Sequence, residues 1–170
     1  MNTLRQQHGF TMIELIMVIV ILGVLSAFAL PRFADLGGSA RKAAMEGVAG
    51  SIRSSMGIAR AQVFASGIDS NAATGTIVLD DTEVILVFGY PSGISATAPG
   101  ILAAAGLPLG DVGDTTDNFT NGDYTYINNA GVLEIYPTAR TACKITYTQA
   151  ADADTPPVLD SSAVTLANCE

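Results

Sequence analysis

The chain contains one long apolar run, Phe10–Leu30, with the sequence FTMIELIMVIVILGVLSAFAL. Its 21 residues include one charged side chain, Glu14. As a helix rising about 1.5 Å per residue, the run would be about 31 Å long and could cross the hydrocarbon core of a bilayer. The preceding segment Met1–Gly9, MNTLRQQHG, is polar, and Arg5 is its only charged side chain. This order predicts a short polar leader followed by a membrane-inserted helix.

Two general interpretations fit such a run. It could be a simple membrane anchor, or it could be a secretory signal peptide cleaved after Ala29, since Ala27-Phe28-Ala29 matches the A-x-A pattern. A carboxylate inside the apolar stretch, and a length above the usual apolar core of about 7–15 residues, argue against the signal peptide. In that alternative the mature chain would be a secreted soluble binding domain.

The junction Gly9-Phe10-Thr11-Met12-Ile13-Glu14, followed by the apolar run that ends at Pro31, resembles the class III signal of type IV prepilins. The resemblance implies that a membrane-embedded prepilin peptidase cuts after Gly9 and methylates the new amine of Phe10. It also implies four regions. Residues 1–9 would be the leader, 10–30 the transmembrane and filament-core half of a helix, 31–65 its amphipathic half, and 66–170 a globular head.

Two further stretches narrow the resemblance. Residues 36–44, which begin Leu36-Gly37-Gly38, and residues 99–107, PGILAAAGL, are similar to the major pilins of the mannose-sensitive haemagglutinin (MSHA) pilus. The type IV pilin family as a whole implies an α+β fold in which a long N-terminal helix packs on a C-terminal antiparallel sheet.

Glu14 has two interpretations. Acidic side chains within membrane segments are rare and mark functional sites by default. Thr11-Met12-Ile13-Glu14 also fits the capping box S/T-x-x-E, in which Glu14 would only bond the backbone at Thr11. The family resemblance favours an assembly role. Glu14 of an incoming subunit would neutralise the Phe10 ammonium of a neighbour, so that both charges leave lipid as a pair.

The helical pattern continues beyond Pro31. Apolar residues recur every three or four positions and predict one buried face: Phe33, Leu36, Ala40, Ala44, Val48, Ile52, Met56, Ala59 and Val63. The helix is therefore expected from about Phe10 to about Ala65, with Pro31 as a kink. Gly23 and Pro31 bound a stretch that we expect to loosen in a filament, as it does in filaments of the related pili.

The remaining sequence predicts short strands and one short helix. Val- and Ile-rich runs around Asp80-Asp81-Thr82 predict one hairpin, and runs around Asn128–Gly131 predict a second. Further strands are expected at Ala142–Thr148 and Ala163–Leu166, and a short helix at Pro99–Ala105. A long helix followed by an antiparallel sheet is an α+β architecture.

The cysteines Cys143 and Cys169 are predicted to form a disulfide, because export permits one and the chain has only these two. Two free buried thiols are the alternative. In the pilin family such a C-terminal pair bounds a variable surface loop, so the resemblance implies that residues 144–168 face outward.

The composition excludes several functions. Charged residues make up 14% of the chain and the formal net charge is −8, so no nucleic-acid partner is predicted.

Oxygen ligands cluster in one Gly-containing stretch and could bind calcium: Asp111, Asp114, Asp117, Asn118, Asn121 and Asp123. Their spacing does not fit an EF-hand, so a solvated loop is favoured and no metal or cofactor is predicted. Asn118-Phe119-Thr120 matches the N-glycosylation triplet, although so short a match is weak.

No catalytic site is predicted. His8, the single histidine, lies in the leader, so a Ser-His-Asp or Cys-His site would be lost on cleavage. The resemblance implies a structural subunit that is inserted in the inner membrane and then polymerises with itself into an extracellular adhesive filament. Its implied partners are the peptidase, the assembly platform and motor, and an outer-membrane pore. The alternative within the same class is the major pseudopilin of type II secretion, which typically lacks the cysteine pair.

Overall fold

The structure, a computed structural model, describes residues 10–93, 99–107 and 118–170. Residues 38–170 form one compact unit, and the described residues before them form another. The first helix, α1 (Met12–Ser66), includes residues of both units. Its bounds lie within two residues of those predicted.

The C-terminal end of α1 is closed by a Schellman motif. Gly67 has a φ of +67°, which a residue with a Cβ rarely adopts. Its N–H donates to the Phe64 carbonyl at 3.4 Å, and the Ile68 N–H donates to the Val63 carbonyl at 3.2 Å. Both bonds satisfy carbonyl groups that the helix leaves without intrahelical donors.

The buried face of α1 begins later than the apolar pattern predicted. Its buried apolar residues are Met45, Val48, Ala49, Ile52, Ala59 and Val63. Leu36, Ala40 and Ala44 are exposed, so their assignment to the buried face was wrong. The physical reason is that a periodic face stays exposed where nothing packs on it, and the apolar core cluster on α1 begins at Met45.

Eight strands form two antiparallel sheets in the described residues. The three-stranded sheet has the order β1-β2-β3 and the five-stranded sheet has the order β4-β5-β6-β7-β8. The strands are β1 (Gly75–Leu79), β2 (Thr82–Val87), β3 (Tyr90–Pro91), β4 (Asn118–Asn121), β5 (Tyr124–Asn129), β6 (Val132–Pro137), β7 (Ile145–Thr148) and β8 (Val158–Asp160). The α+β class with a long N-terminal helix and antiparallel sheets is confirmed.

Both predicted hairpins are present. Asp80 and Asp81 join β1 to β2 with φ angles of 46° and 59°, and Ala130 and Gly131 join β5 to β6 with φ angles of 50° and 88°. Two consecutive left-handed residues are the geometry of a type I′ turn, whose twist matches that of the flanking strands. The short helix α2 (Ile101–Ala104) also lies where it was expected, with Gly106 at a φ of +66°.

The strand predicted at Ala163–Leu166 is wrong. A one-turn helix, α3 (Leu166–Cys169), begins there, and the last strand is β8 instead. Thr165 is the N-cap of α3, and its hydroxyl accepts a hydrogen bond from the Asn168 N–H at 3.3 Å. Threonine is common both in strands and at N-caps. Here the hydrogen bond between its side chain and the backbone stabilises the N-cap conformation.

Two apolar clusters hold the sheets to α1. Met45, Val48, Ala49 and Ile52 pack in one cluster with buried residues of the five-stranded sheet, such as Tyr126. Ala59 and Val63 pack in the second cluster with Ile77, Val84 and Leu86 of the three-stranded sheet. Successive turns of one helix therefore organise both sheets.

Candidate functional site

The N-terminal end of α1 is closed by a capping box. Oε2 of Glu14 accepts hydrogen bonds from the Thr11 N–H and from the Thr11 hydroxyl, each at 2.9 Å. The Glu14 N–H in turn donates to Oγ1 of Thr11 at 3.3 Å. The capping interpretation of Glu14 is therefore realised in the isolated chain.

The capping bonds leave Glu14 able to interact further. Both bonds from Thr11 reach one carboxylate oxygen, Oε2, and a carboxylate has about four acceptor positions on its two oxygens. Phe10 lies immediately outside the helix, and its side chain is 95% exposed. The second carboxylate oxygen of Glu14 and the exposed Phe10 are thus both available for contacts with other molecules.

The apolar part of α1 is uncovered. Within the described residues, Met12–Ala29 is the one helical segment long and apolar enough to cross a membrane, although a signal sequence would meet the same criterion. None of this segment is buried in the chain itself. A segment this apolar is not stable in water by itself, so it requires lipid or protein around it.

The predicted cleavage and flexibility residues are placed only in part. Gly9 lies outside the described residues, whereas Phe10 is their first residue. α1 is a continuous helix through Gly23 and Pro31. The loosening predicted there concerns the assembled filament and stays a prediction.

The predicted disulfide joins Cys143 to Cys169, with a Cα–Cα distance of 4.8 Å. Both cysteines are fully buried. The resemblance implied that the segment between them faces outward. This is only partly correct, because Ile145 and Tyr147 of β7 are also fully buried. Alternation along β7 places these two side chains in the core and their neighbours outside it.

The C-terminus is bound to α1. Nε of Arg41 donates to the Cys169 carbonyl at 2.6 Å, and Nη2 of Arg41 donates to the Glu170 carbonyl at 3.3 Å. A Cβ at Gly38 would lie 2.7 Å from Cγ of Glu170, so a larger residue there would require the Glu170 side chain to shift. The disulfide and Arg41 together fix the last two residues against the helix.

The acidic stretch considered for calcium is only partly visible. Asp111, Asp114 and Asp117 lie outside the described residues. Asn118 and Asn121 belong to β4, and Asp123 follows in the turn to β5. In the part of the chain that the structure describes, no group of three or more His, Cys, Asp or Glu residues could hold a metal ion.

Sequence reasoning missed a second polar site on α1. The Arg60 guanidinium lies 4.7 Å from the ring centroid of Phe64 and 4.6 Å from that of Tyr90. The i, i+4 spacing of Arg60 and Phe64 could have indicated half of this arrangement. Tyr90 could not have been found, because its contact depends on how the three-stranded sheet packs.

Comparison with known proteins bears on the N-terminal segment. Residues 4–30 match the family model described as the prokaryotic N-terminal methylation motif. The type IV narrow pilus major component PilA5 of Thermus thermophilus is 50% identical over 54 residues, which is 32% of this chain and 47% of the relative. A type IV major fimbrial protein FimA of Dichelobacter nodosus is 38% identical over 79 residues, or 44% of this chain and 47% of the relative.

This chain carries the prokaryotic N-terminal methylation motif, and part of it is similar in sequence to type IV pilins. The aligned regions span about half the length of these curated relatives. No solved structure matches the chain significantly. The family-model match itself lies within residues 4–30, so it includes the first part of α1 and none of the sheet residues.

Proposed function

We propose that this chain is the major structural subunit of a type IV pilus and polymerises with itself through α1. The uncovered apolar segment Met12–Ala29, which lies within the match to the methylation motif, carries the proposal. Lipid covers this segment before assembly, and the same segments of other subunits cover it in the filament. The names of the relatives, a pilus major component and major fimbrial proteins, support a structural rather than a catalytic role.

The proposed maturation has a fixed order. The prepilin is held in the inner membrane, prepilin peptidase cuts between Gly9 and Phe10, and the new amine of Phe10 is methylated. Removing Arg5 with the leader changes the formal side-chain charge from −8 to −9, because Arg5 is the only charged residue removed. An assembly platform and motor then add the subunit to a filament that leaves through an outer-membrane pore.

The finer proposal is that the filament is of the MSHA type and attaches cells to surfaces or to other cells. Its support is the similarity of residues 36–44 and 99–107 to the major pilins of that pilus. The disulfide between Cys143 and Cys169 favours a pilin over the major pseudopilin of type II secretion.

The test is electron microscopy of filaments sheared from cells that produce the full chain, with intact-mass measurement of their main subunit. We expect a subunit that begins at Phe10 and carries one added methyl group. A main subunit of another sequence would contradict the major-pilin role. A soluble product beginning at Leu30 would establish cleavage by a conventional signal peptidase instead.

A further inference from the structure

A groove lies beside Arg60 between α1 and β3, within the compact unit of residues 38–170. It has a volume of about 510 Å³ and is lined by Arg53, Met56, Arg60, Phe64, Tyr90 and Pro156. Two cations and two aromatic rings therefore share one concave surface on a chain that is acidic as a whole.

Arg60 is held in place before any partner arrives. Its guanidinium lies over the rings of Phe64 and Tyr90, and its Nη1 donates to the Phe88 carbonyl at 3.1 Å. Gly89, at a φ of +74°, lets the guanidinium approach, because a Cβ there would lie 2.2 Å from Nη1. A fixed side chain loses little conformational entropy on binding, which favours recognition.

The positive charge of the groove has no acidic partner among the described residues. Arg53 donates from Nη2 to the Ser161 hydroxyl at 3.0 Å, and Arg60 donates to a carbonyl. The ion pairs of the described residues are Lys42 with Glu46 and Lys144 with Glu134. The groove thus presents two arginines whose bonds go to neutral oxygens, a surface suited to carboxylates.

The complementary surface is the tip of the β1–β2 hairpin. Asp80, Asp81 and Glu83 are all exposed there. Asp80 and Asp81 hold left-handed φ angles of 46° and 59°, and glycine is the favoured residue at the second of these positions. The type I′ turn places these two carboxylates side by side at the exposed end of the hairpin.

The tip cannot reach the groove of its own chain by a local movement. The turn at Asp80 and Asp81 precedes Thr82, whereas the turn that leads to Tyr90 follows Val87. Five residue steps along β2 separate these ends, which is about 17 Å. One small sheet therefore has an acidic tip at one end and a basic groove at the other.

We infer that the acidic tip of one subunit binds the Arg53–Arg60 groove of a second copy of this chain. Two different patches that bind each other form a heterologous contact, and such contacts repeat in open filaments. The inference rests on the proposed function and adds to it a contact between heads, distinct from packing of the apolar helices. Because the pairs are exposed, the contact is sensitive to salt.

The test compares full-chain filaments of three variants with wild type, by the fraction of subunit released at increasing NaCl. Asp80→Asn with Asp81→Gly removes both carboxylates yet supplies the favoured Asn-Gly turn. Arg53→Glu reverses one groove charge at an exposed side chain. Arg140→Glu is the control, since Arg140 is exposed outside the groove and donates to the Ala139 carbonyl.

The first two variants should release about two- to fivefold more subunit than wild type at the same salt, as expected for loss of exposed ion pairs. Asp80→Asn with Asp81→Gly should leave the hairpin at least as stable as in wild type, so increased release would reflect loss of the contact and not loss of the fold. Arg140→Glu should behave as wild type. Normal release from both test variants, or equal loss in the control, would overturn the inference.

A second measurement tests position. A chain with both Arg53→Cys and Asp81→Cys should form a ladder of covalent oligomers when its filaments are oxidised, because each subunit contacts two neighbours. Arg140→Cys with Asp81→Cys is the matched control and should give no ladder. If the wild-type chain forms filaments but the chain with Arg53→Cys and Asp81→Cys gives no ladder, the inferred contact between heads is wrong and the proposed function is unaffected. The absence of wild-type filaments would defeat the proposed function instead.

Discussion

Glu14 has a local bond and a proposed intermolecular one, and two substitutions at the same turn separate them. In the isolated chain its carboxylate caps the helix through Thr11. In the proposed filament it also meets the Phe10 ammonium of a neighbour. Gln can replace Glu in a capping box but cannot neutralise a cation. Ala at Thr11 removes the cap hydroxyl and leaves the Glu14 charge intact.

Glu14→Gln should therefore stop filament growth, whereas Thr11→Ala should permit it. An ammonium left unpaired in an apolar bundle costs about 3–5 kcal/mol at each added subunit, whereas loss of a cap costs about 1 kcal/mol. We expect Glu14→Gln subunit to be inserted and cut but retained in the inner membrane, measured by fractionation and filament yield. A normal filament yield from Glu14→Gln would contradict charge neutralisation and leave helix capping as the role of Glu14.

Tyr126 and Tyr147 differ in whether their buried hydroxyls are bonded. The Tyr126 hydroxyl has no hydrogen-bond partner among the described residues, whereas the Tyr147 hydroxyl donates to the Pro91 carbonyl. Tyr126→Phe should leave the free energy of unfolding unchanged or raise it slightly. Tyr147→Phe should lower it by about 1–3 kcal/mol, because the Pro91 carbonyl loses its donor. Denaturant unfolding of the full chain in detergent measures both, and equal losses would contradict the assignment.

Both tyrosines should also make the fold sensitive to alkali. Burial, with a smaller contribution from Tyr124, raises the pKa of Tyr126 to about 12. Burial, aided by Tyr90, raises the pKa of Tyr147 well above its ordinary value of 10. The folded chain therefore holds these protons more tightly than the unfolded chain. Stability is unaffected below about pH 10 and falls as pH rises through the folded pKa values, with late-ionising tyrosines visible by ultraviolet absorbance.

At the scale of single elements, the α1 helix has a weak point between Gly23 and Pro31. Glycine is entropically costly in a helix, and Pro31 has no N–H to donate to the Ala27 carbonyl. The isolated chain is helical there, so we expect the loosening only where neighbouring subunits compete for packing.

A filament density map should show non-helical backbone between Gly23 and Pro31. Pro31→Ala restores the missing donor and should extend the helix through this stretch. Continuous helical density through Ala27 in the wild-type filament would contradict the prediction.

Elements with local signals were predicted from the sequence, and elements that depend on packing were not. The apolar run was enough to predict α1, and the short polar turns were enough to predict both hairpins. The buried face of α1 was placed too early, because exposed Ala40 and Ala44 have the same periodicity as buried Val48 and Ile52. The Arg60 groove was missed for a similar reason, since Tyr90 reaches it only through the fold of the three-stranded sheet.

At the scale of the whole molecule, the C-terminus closes the head. The disulfide between Cys143 and Cys169 links residues 26 positions apart, and Arg41 binds the last two carbonyls to α1. In the chain-entropy model a loop of this size stabilises the folded state by about 3–4 kcal/mol, by restricting the unfolded chain. The bond also ties α3 to the residue two positions before β7.

Replacing both cysteines, as Cys143→Ala with Cys169→Ala, should lower the free energy of unfolding by about 3–4 kcal/mol plus the cost of any cavity. The reduced wild-type chain is the matched control, because it loses the bond but keeps the sulfur atoms. It should lose the entropic part alone, so its unfolding midpoint should lie between those of the oxidised chain and the variant. Labelling of unreduced, denatured protein should find no free thiols. Two labelled cysteines, or equal midpoints for oxidised and reduced chains, would contradict a stabilising bond.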